Sequence, residues 1–146
     1  MNVMSEDKKT KILVVEDEVI ISKAYADELR DEGFLVLMAT NGRDGLELAL
    51  RERPDLILLD ILMPIMDGLT MMGRLREKDL YGRNVPIILL TNLSASEEKI
   101  IQAVAKNEPA YYLVKSDWNL SQVVEKIRER LDPSYHVLSQ PPPKTE

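Results

Sequence analysis

The sequence LILLDILMPIMDG, Leu56 to Gly68, leads from an apolar run to a single carboxylate at Asp60. A continuous apolar run of this kind is typical of a strand that is buried on both faces of a sheet. An ionised carboxylate beside an apolar core is unfavourable unless a partner or a ligand compensates it. Asp60 is therefore either a solvated turn residue or part of a site.

Similar apolar segments occur on both sides of this one, and helical patterns separate them. The five strand-like segments are KILVVED (11–17), FLVLMAT (34–40), DLILLD (55–60), VPIILLT (85–91) and AYYLVK (110–115). The five helical segments are 19–33, 42–53, 68–79, 94–107 and 119–131. Five strand–helix alternations with apolar strands predict an α/β fold, a doubly wound five-stranded parallel sheet with helices on both faces.

Local signals mark several helix ends. Gly33 is suited to end the first helix, and Pro54 follows the second. Ser94 precedes Glu97 by three residues, a capping pattern for the fourth helix. In the last helix, Asn119 with Gln122 predicts a capping box, and Trp118 is placed to pack against Val123.

Composition limits the class of protein. The chain has 146 residues, 45% of them apolar, with a net charge of -6, a pI near 4.9 and no cysteine. This predicts one domain over 11–132, a flexible N-terminal segment over 1–10 and a flexible, proline-containing tail over 133–146. The acidic balance argues against a nucleic-acid partner, and no apolar run is long enough to span a membrane. We expect a cytoplasmic location.

Polar residues follow four of the strands. The first strand leads to Glu16, Asp17 and Glu18, the third to Asp60, the fourth to Thr91 and the fifth to Lys115. In open parallel sheets ligands bind at the carboxyl ends of the strands. Clustered carboxylates without His or Cys suit a hard cation, and Mg²⁺ is the best candidate. The hydroxyl and the ammonium would contact phosphoryl oxygens, and a carboxylate can accept a phosphoryl group as an aspartyl-phosphate.

These residues, in this order, resemble the receiver domain of two-component response regulators. The resemblance covers about residues 11–131. The motifs that carry it are VVEDE, LLDILMPIMDG, the strand end LLT, and YYLVKS. It implies the flavodoxin-like strand order 2-1-3-4-5 and a stand-alone phosphoacceptor switch, not an enzyme, with autocatalytic phosphotransfer and slow autodephosphorylation. A sensor histidine kinase or a phosphotransfer protein would be the donor.

The resemblance also implies a role for each site residue. Asp60 would be the phosphoacceptor, and Lys115 would pair with the phosphoryl group. The Mg²⁺ ligands would be Asp17, Asp60, the backbone carbonyl of Leu62 and, through water, Glu16. The switch residues would be Thr91 and Tyr112. The downstream partner, unknown, would bind the surface formed by the fourth helix, the fifth strand and the fifth helix.

Three other functions are weighed against this one. A Mg²⁺-dependent phosphatase with an aspartyl nucleophile usually needs a second acid two residues later, where this chain has Leu62. A flavodoxin-like nucleotide binder needs a phosphate cradle after the first strand, where this chain has acidic residues. The alternative that remains is a pseudo-receiver, a protein-binding module that works without phosphorylation, and the intact set of Asp17, Asp60, Thr91 and Lys115 argues against it.

The chain departs from the family pattern at three places: Asn92, Pro109 and Ser116. The family usually has a cis peptide to proline after the lysine. For Ser116 a cis bond would cost about 2.5–4 kcal/mol, against about 0.5–1 kcal/mol for proline. We therefore predict a trans Lys115–Ser116 bond that still lets Lys115 reach Asp60. Leu62 and Leu93, which offer no group to orient a water, predict slow loss of the phosphoryl group.

Overall fold

A five-stranded parallel sheet forms the centre of the fold. The computed structural model describes residues 9–93, 97–132 and 134. Its strands are β1 (Lys11–Val15), β2 (Leu35–Ala39), β3 (Leu56–Leu59), β4 (Ile87–Thr91) and β5 (Tyr111–Val114). They pair in the order β2-β1-β3-β4-β5, and every pair is parallel. The predicted fold class and strand order are confirmed.

Six α-helices lie among the described residues, one more than the sequence predicted. They are α1 (Val19–Asp31), α2 (Gly42–Glu52), α3 (Gly68–Arg76), α4 (Leu80–Asn84), α5 (Glu98–Asn107) and α6 (Leu120–Leu131). The prediction of a single helix over 68–79 was wrong, because α3 ends at Arg76 and the Asp79 side chain accepts a hydrogen bond from Gly82 N to begin α4. The fourth and fifth helices predicted from the sequence are therefore α5 and α6.

The helices cover both faces of the sheet. Leu29 of α1 and Ile127 of α6 belong to the apolar cluster on one face. Ala49 of α2 and Met72 of α3 belong to the cluster on the other face, against which Val104 of α5 also packs. Strands covered on both sides need apolar residues at successive positions, and β3 and β4 are buried along their whole length. This explains the continuous apolar runs.

Two of the predicted helix ends are confirmed. Gly33 has a φ of 101°, which suits glycine just beyond α1. The Asn119 side chain accepts from Gln122 N, and the Gln122 side chain accepts from Asn119 N, so the capping box of α6 is present. Trp118 and Val123 are both buried in the same apolar cluster, as the predicted contact requires.

The predicted capping pattern of the fourth helix differs from the structure. Ser94 lies outside the described residues. Glu97 is itself the N-cap residue of α5 and makes no side-chain capping bond. It therefore does not occupy the third helical position that a box beginning at Ser94 would require.

The predicted flexible ends lie outside the described residues, apart from residues 9, 10 and 134. The division at 11 and 132 therefore stays a prediction. Within the part of the chain that the structure describes, no helix combines the length and the apolar character needed to cross a membrane.

Candidate functional site

Two acidic residues lie at the carboxyl edge of the sheet because the backbone pairing continues one residue past the strands. Glu16 N donates to Ala39 O at 3.0 Å, and Asp60 N donates to Val15 O at 3.0 Å. The neighbouring strands β1 and β3 thus deliver both carboxylates to the same edge. Glu16 and Asp60 are buried, with relative exposures of 5% and 8%.

Lys115 joins these two carboxylates. Its Nζ donates to Glu16 Oε1 at 2.8 Å and to Asp60 Oδ2 at 3.2 Å. The second Glu16 oxygen accepts from Glu18 N at 3.1 Å, and Asp60 Oδ1 accepts from Ile61 N at 2.6 Å. Each buried carboxylate is therefore compensated by one charge-assisted bond and one backbone bond.

Burial and neighbouring charges have opposite effects on the pKa of Glu16 and also on the pKa of Lys115. Burial raises the pKa of Glu16, and the hydrogen bond from Lys115 opposes this effect. Burial alone would lower the pKa of Lys115, but its bond to Glu16 and the negative charge of Asp60 outweigh burial, so that the pKa is raised. The ammonium form of Lys115 is thus firmly held.

A third carboxylate completes an acidic cluster. Glu16, Asp17 and Asp60 each offer an oxygen atom, and these atoms all lie within 4.8 Å of one another. Oxygen ligands bind Mg²⁺ at about 2.0–2.1 Å in octahedral geometry, so the oxygens of one ion lie about 3–4 Å apart, and the 4.8 Å limit of this cluster is only slightly wider. The donor set, all carboxylate oxygen, therefore fits a hard divalent cation.

The loop after β3 is held tightly against Asp60. Gly68 N donates to Ile61 O at 2.8 Å, and a Cβ atom on Gly68 would overlap the carbonyl oxygen of Asp60. The Asp67 side chain accepts from Thr70 N at 2.8 Å and caps α3. The Asp67–Gly68 pair of the sequence motif thus begins a helix and permits a close backbone approach behind the site.

Thr91, at the carboxyl end of β4, and Tyr112, within β5, both form hydrogen bonds with the loop after β4. Thr91 is buried at the end of β4, and its Oγ1 accepts from Leu93 N at 3.4 Å. Tyr112 Oη donates to Leu93 O at 2.9 Å. Both predicted switch residues therefore hold one segment, the start of the β4–α5 connection.

The predicted geometry at Ser116 is confirmed. No cis peptide bond occurs among the described residues, so the Lys115–Ser116 bond is trans. A 3₁₀-helix, Lys115–Asp117, follows β5, and Lys115 still reaches Asp60. The Leu62 side chain is 59% exposed, and the ligand role of its carbonyl stays a prediction.

Sequence reasoning missed one contact and one residue beside the site. The backbone amide of Glu18 orients Glu16, an interaction that no residue pattern signals. Tyr25 of α1 lines a small cavity together with Glu16 and Asp60. The sequence signal by which Tyr25 could have been found is a side chain with a hydroxyl at a position of α1 that faces the apolar core.

Comparisons with known proteins agree with this geometry. The family model described as "Response regulator receiver domain" matches residues 12–128. The probable transcriptional regulatory protein TcrX of Mycobacterium tuberculosis is 30% identical over 127 residues, which cover 87% of this chain and 52% of that protein. The chain spans about half or less of the length of such curated relatives.

Two solved structures extend the comparison. A CheY-like response regulator receiver domain protein from Methanospirillum hungatei JF-1 is 25% identical, with a TM-score of 0.77 over 86% of this chain and 96% of that one. The receiver domain of the sensor histidine kinase PA1611 from Pseudomonas aeruginosa PAO1 is 28% identical, with a TM-score of 0.71 over 84% of this chain and 97% of that one, and it carries a magnesium ion coordinated in its active-site cleft. The chain belongs to the response regulator receiver domain family.

Proposed function

We propose that this chain is a cytoplasmic, phosphorylation-operated switch of a two-component system, with Asp60 as the phosphoacceptor. The observation that carries the proposal is the double contact of Lys115 Nζ with Asp60 Oδ2 and Glu16 Oε1 inside the acidic cluster. A partly buried ammonium beside a strand-end carboxylate is suited to neutralise phosphoryl oxygens on that carboxylate. The receiver family of the chain supports the same role.

In the proposed reaction an Asp60 carboxylate oxygen attacks the phosphorus of a phosphohistidine. A P–O bond forms, the P–N bond breaks, and the leaving imidazole takes up a proton. Lys115 then exchanges its contact with Asp60 for one with a phosphoryl oxygen. Thr91, at the end of β4, supplies a hydroxyl donor that can turn toward the new group. We do not class the chain as an enzyme, since it is itself the acceptor.

Mg²⁺ is the proposed cofactor. Asp17, Asp60 and the Leu62 carbonyl would be its ligands, with Glu16 acting through water. When bound, the ion neutralises charge on the phosphoryl oxygens and on the carboxylates. The fit of the three carboxylates and the magnesium in the related Pseudomonas receiver support this assignment.

The proposed partners are proteins. A sensor histidine kinase or a phosphotransfer protein would donate the phosphoryl group. The output would pass through the surface formed by α5, β5 and α6. Tyr112 supports this assignment, because its bond to Leu93 O links β5 to the segment that Thr91 also holds, so a movement of Thr91 would reach the β5 surface.

Phosphorylation with acetyl phosphate and Mg²⁺, followed by mass spectrometry of the labelled peptide, tests the proposal. We expect one phosphoryl group on Asp60 in the wild type and none in Asp60→Asn, because the amide is not a nucleophile toward phosphorus. Asp27→Asn is the matched control, since Asp27 lies exposed on α1 and pairs with Lys23 there. This variant should be labelled like the wild type.

Two results would count against the proposal. Full labelling of Asp60→Asn would place the modification elsewhere. A wild type that stays unlabelled by acetyl phosphate and by histidine kinases alike would favour the pseudo-receiver alternative.

A further inference from the structure

Tyr25 lies behind the acidic cluster, on the core side. It is partly buried on α1 and packs against the apolar cluster of that face. Its side chain lines a cavity of about 10 Å³ together with Glu16 and Asp60. The remaining lining comes from apolar residues of β1, β3 and β4. Tyr25 and two acidic residues thus line one small space whose other lining residues are apolar.

The Tyr25 hydroxyl differs from the hydroxyls of two other tyrosines. Tyr81 Oη donates to Pro54 O at 2.7 Å, and Tyr112 Oη donates to Leu93 O at 2.9 Å. Among the residues that the structure describes, no protein group makes a hydrogen bond with Tyr25 Oη. Tyrosine hydroxyls in such surroundings usually have a partner. A cavity of about this volume accommodates one water molecule when polar groups line it.

The charges of the site act on Tyr25. Burial raises the pKa of Tyr25, the positive charge of Lys115 opposes this effect, and the negative charge of Glu16 adds to it. Glu16 already accepts from Lys115 Nζ and from Glu18 N. A carboxylate has about four lone-pair positions, so Glu16 can accept a further bond from the cavity.

We propose that Tyr25 is a positioning residue of the phosphoacceptor site, which orients the Glu16 carboxylate through one water molecule held in this cavity. The inference rests on the function proposed above. A third bond, from the core side, fixes the Glu16 carboxylate from a direction that Lys115 and Glu18 do not supply. Partners of this outer kind orient metal-binding groups and thereby raise affinity for the ion.

The first test measures the Mg²⁺ concentration that gives half-maximal labelling by acetyl phosphate. We expect Tyr25→Phe to raise this concentration about threefold to tenfold, as for the loss of one hydrogen bond. Its melting temperature in Mg²⁺-free buffer should stay close to that of the wild type, because the ring remains. Tyr81→Phe is the control: it removes a hydroxyl bonded at the opposite edge of the sheet and should leave the Mg²⁺ requirement unchanged. An unchanged requirement in Tyr25→Phe would overturn the proposal.

The second test needs no phosphorylation. In the Mg²⁺-free protein labelled with ¹³C at tyrosine Cζ, the Tyr25 resonance is assigned by its loss in Tyr25→Phe. We expect it to shift in Glu16→Gln and to stay in place in Asp55→Asn, whose carboxylate bonds to Lys11 N at the far edge. If the Tyr25 resonance has the same chemical shift in Glu16→Gln as in the wild type, the proposal is overturned, even where Asp60 accepts a phosphoryl group. If the Tyr25 resonance shifts in Glu16→Gln but the chain never accepts a phosphoryl group, the proposed function is rejected. The contact between Tyr25 and Glu16 is then still supported.

Discussion

At the scale of single residues, the balance of charge around Lys115 determines what the site can bind. Three carboxylates, Glu16, Asp17 and Asp60, lie close together and face one ammonium. The ammonium compensates part of the cost of burying two of these carboxylates. Negative charge remains in excess, and it is this excess that a divalent cation would neutralise.

Leu62 and Leu93 determine, in our interpretation, how long the phosphoryl group persists. Neither side chain can orient a water for attack, and Leu62 is exposed near Asp60. We expect the double replacement by Asn or Glu to speed phosphoryl loss about tenfold to a hundredfold, at or below the low end of the effect of a positioned proton acceptor. Loss of label from the purified phosphoprotein, followed over time, measures it.

Leu80→Asn is the matched control for these leucines. Leu80 is 70% exposed on α4, next to the connection that precedes β4 and therefore at the edge of the sheet opposite the site. The Leu80→Asn variant should lose its phosphoryl group at the wild-type rate. If the variants at Leu62 and Leu93 lose phosphate at the wild-type rate or more slowly, the apolar flanks do not explain the lifetime.

The sequence predicted which residues form the acidic cluster better than it predicted the backbone conformation around that cluster. Glu16, Asp60 and Lys115 could be assigned because strand ends of a parallel sheet meet at one edge. The positive φ of 72° at Ile65 could not, since β-branched residues rarely adopt it. Only the close packing of the loop, with Met66 N donating to Pro64 O and Met66 O accepting from Gly42 N, accounts for it.

At the scale of elements, α3 shows how one helix serves both packing and site geometry. Its first residue, Gly68, lies against the carbonyl of Asp60, whereas Gly73 in its interior has only an ordinary contact, 3.6 Å from Asn107 Nδ2 to a Cβ built there. The same Gly→Ala change should therefore have opposite effects on stability at these two positions of α3.

We expect Gly68→Ala to lower the free energy of unfolding by about 1–3 kcal/mol, as for a residue forced into a filled space. Gly73→Ala should raise it by about 0.5–1 kcal/mol, because alanine loses less backbone entropy in a helix. Urea denaturation of both variants measures these changes. Equal effects at the two positions would contradict the close approach of Gly68 to Asp60.

The short helix α4 was missed for a physical reason. Five residues, Leu80–Asn84, are too few to show a helical period, and such a helix is not stable alone. Contacts from outside the helix stabilise it: Arg76 Nη1 donates to Gly82 O and Val85 O at 2.8 and 2.7 Å, and Arg53 pairs with Asp79 at 3.0 Å. Tertiary contacts of this kind leave no periodic signature in the sequence.

At the scale of the whole molecule, the sheet order places the site between the two halves of the fold. β1 and β3 are adjacent at the centre, with β2 on one side and β4 and β5 on the other. The chain reverses its direction of progress through the sheet at this point, where open α/β sheets bind their ligands. Glu16 and Asp60 follow these two central strands, so an ion bound there would join both halves.

Mg²⁺ should therefore stabilise the entire fold. An ion that binds the folded chain and not the unfolded chain adds about 1.4 kcal/mol at ten times its dissociation constant. For a domain of this size we expect the melting temperature to rise by about 3–5 °C. Melting is followed by circular dichroism, and NaCl is added to the Mg²⁺-free sample to match the ionic strength of the Mg²⁺ sample, which separates binding from general screening.

Two variants decide whether this stabilisation comes from the acidic cluster. Asp17→Asn removes a carboxylate from the cluster and should lose most of the Mg²⁺-dependent rise. Asp31→Asn, at the opposite end of α1, changes the net charge equally and should keep the rise in full. An equal rise in both variants would assign the effect to diffuse charge on this acidic chain. Normal melting without any rise at millimolar Mg²⁺ would contradict a metal site between the two halves of the sheet.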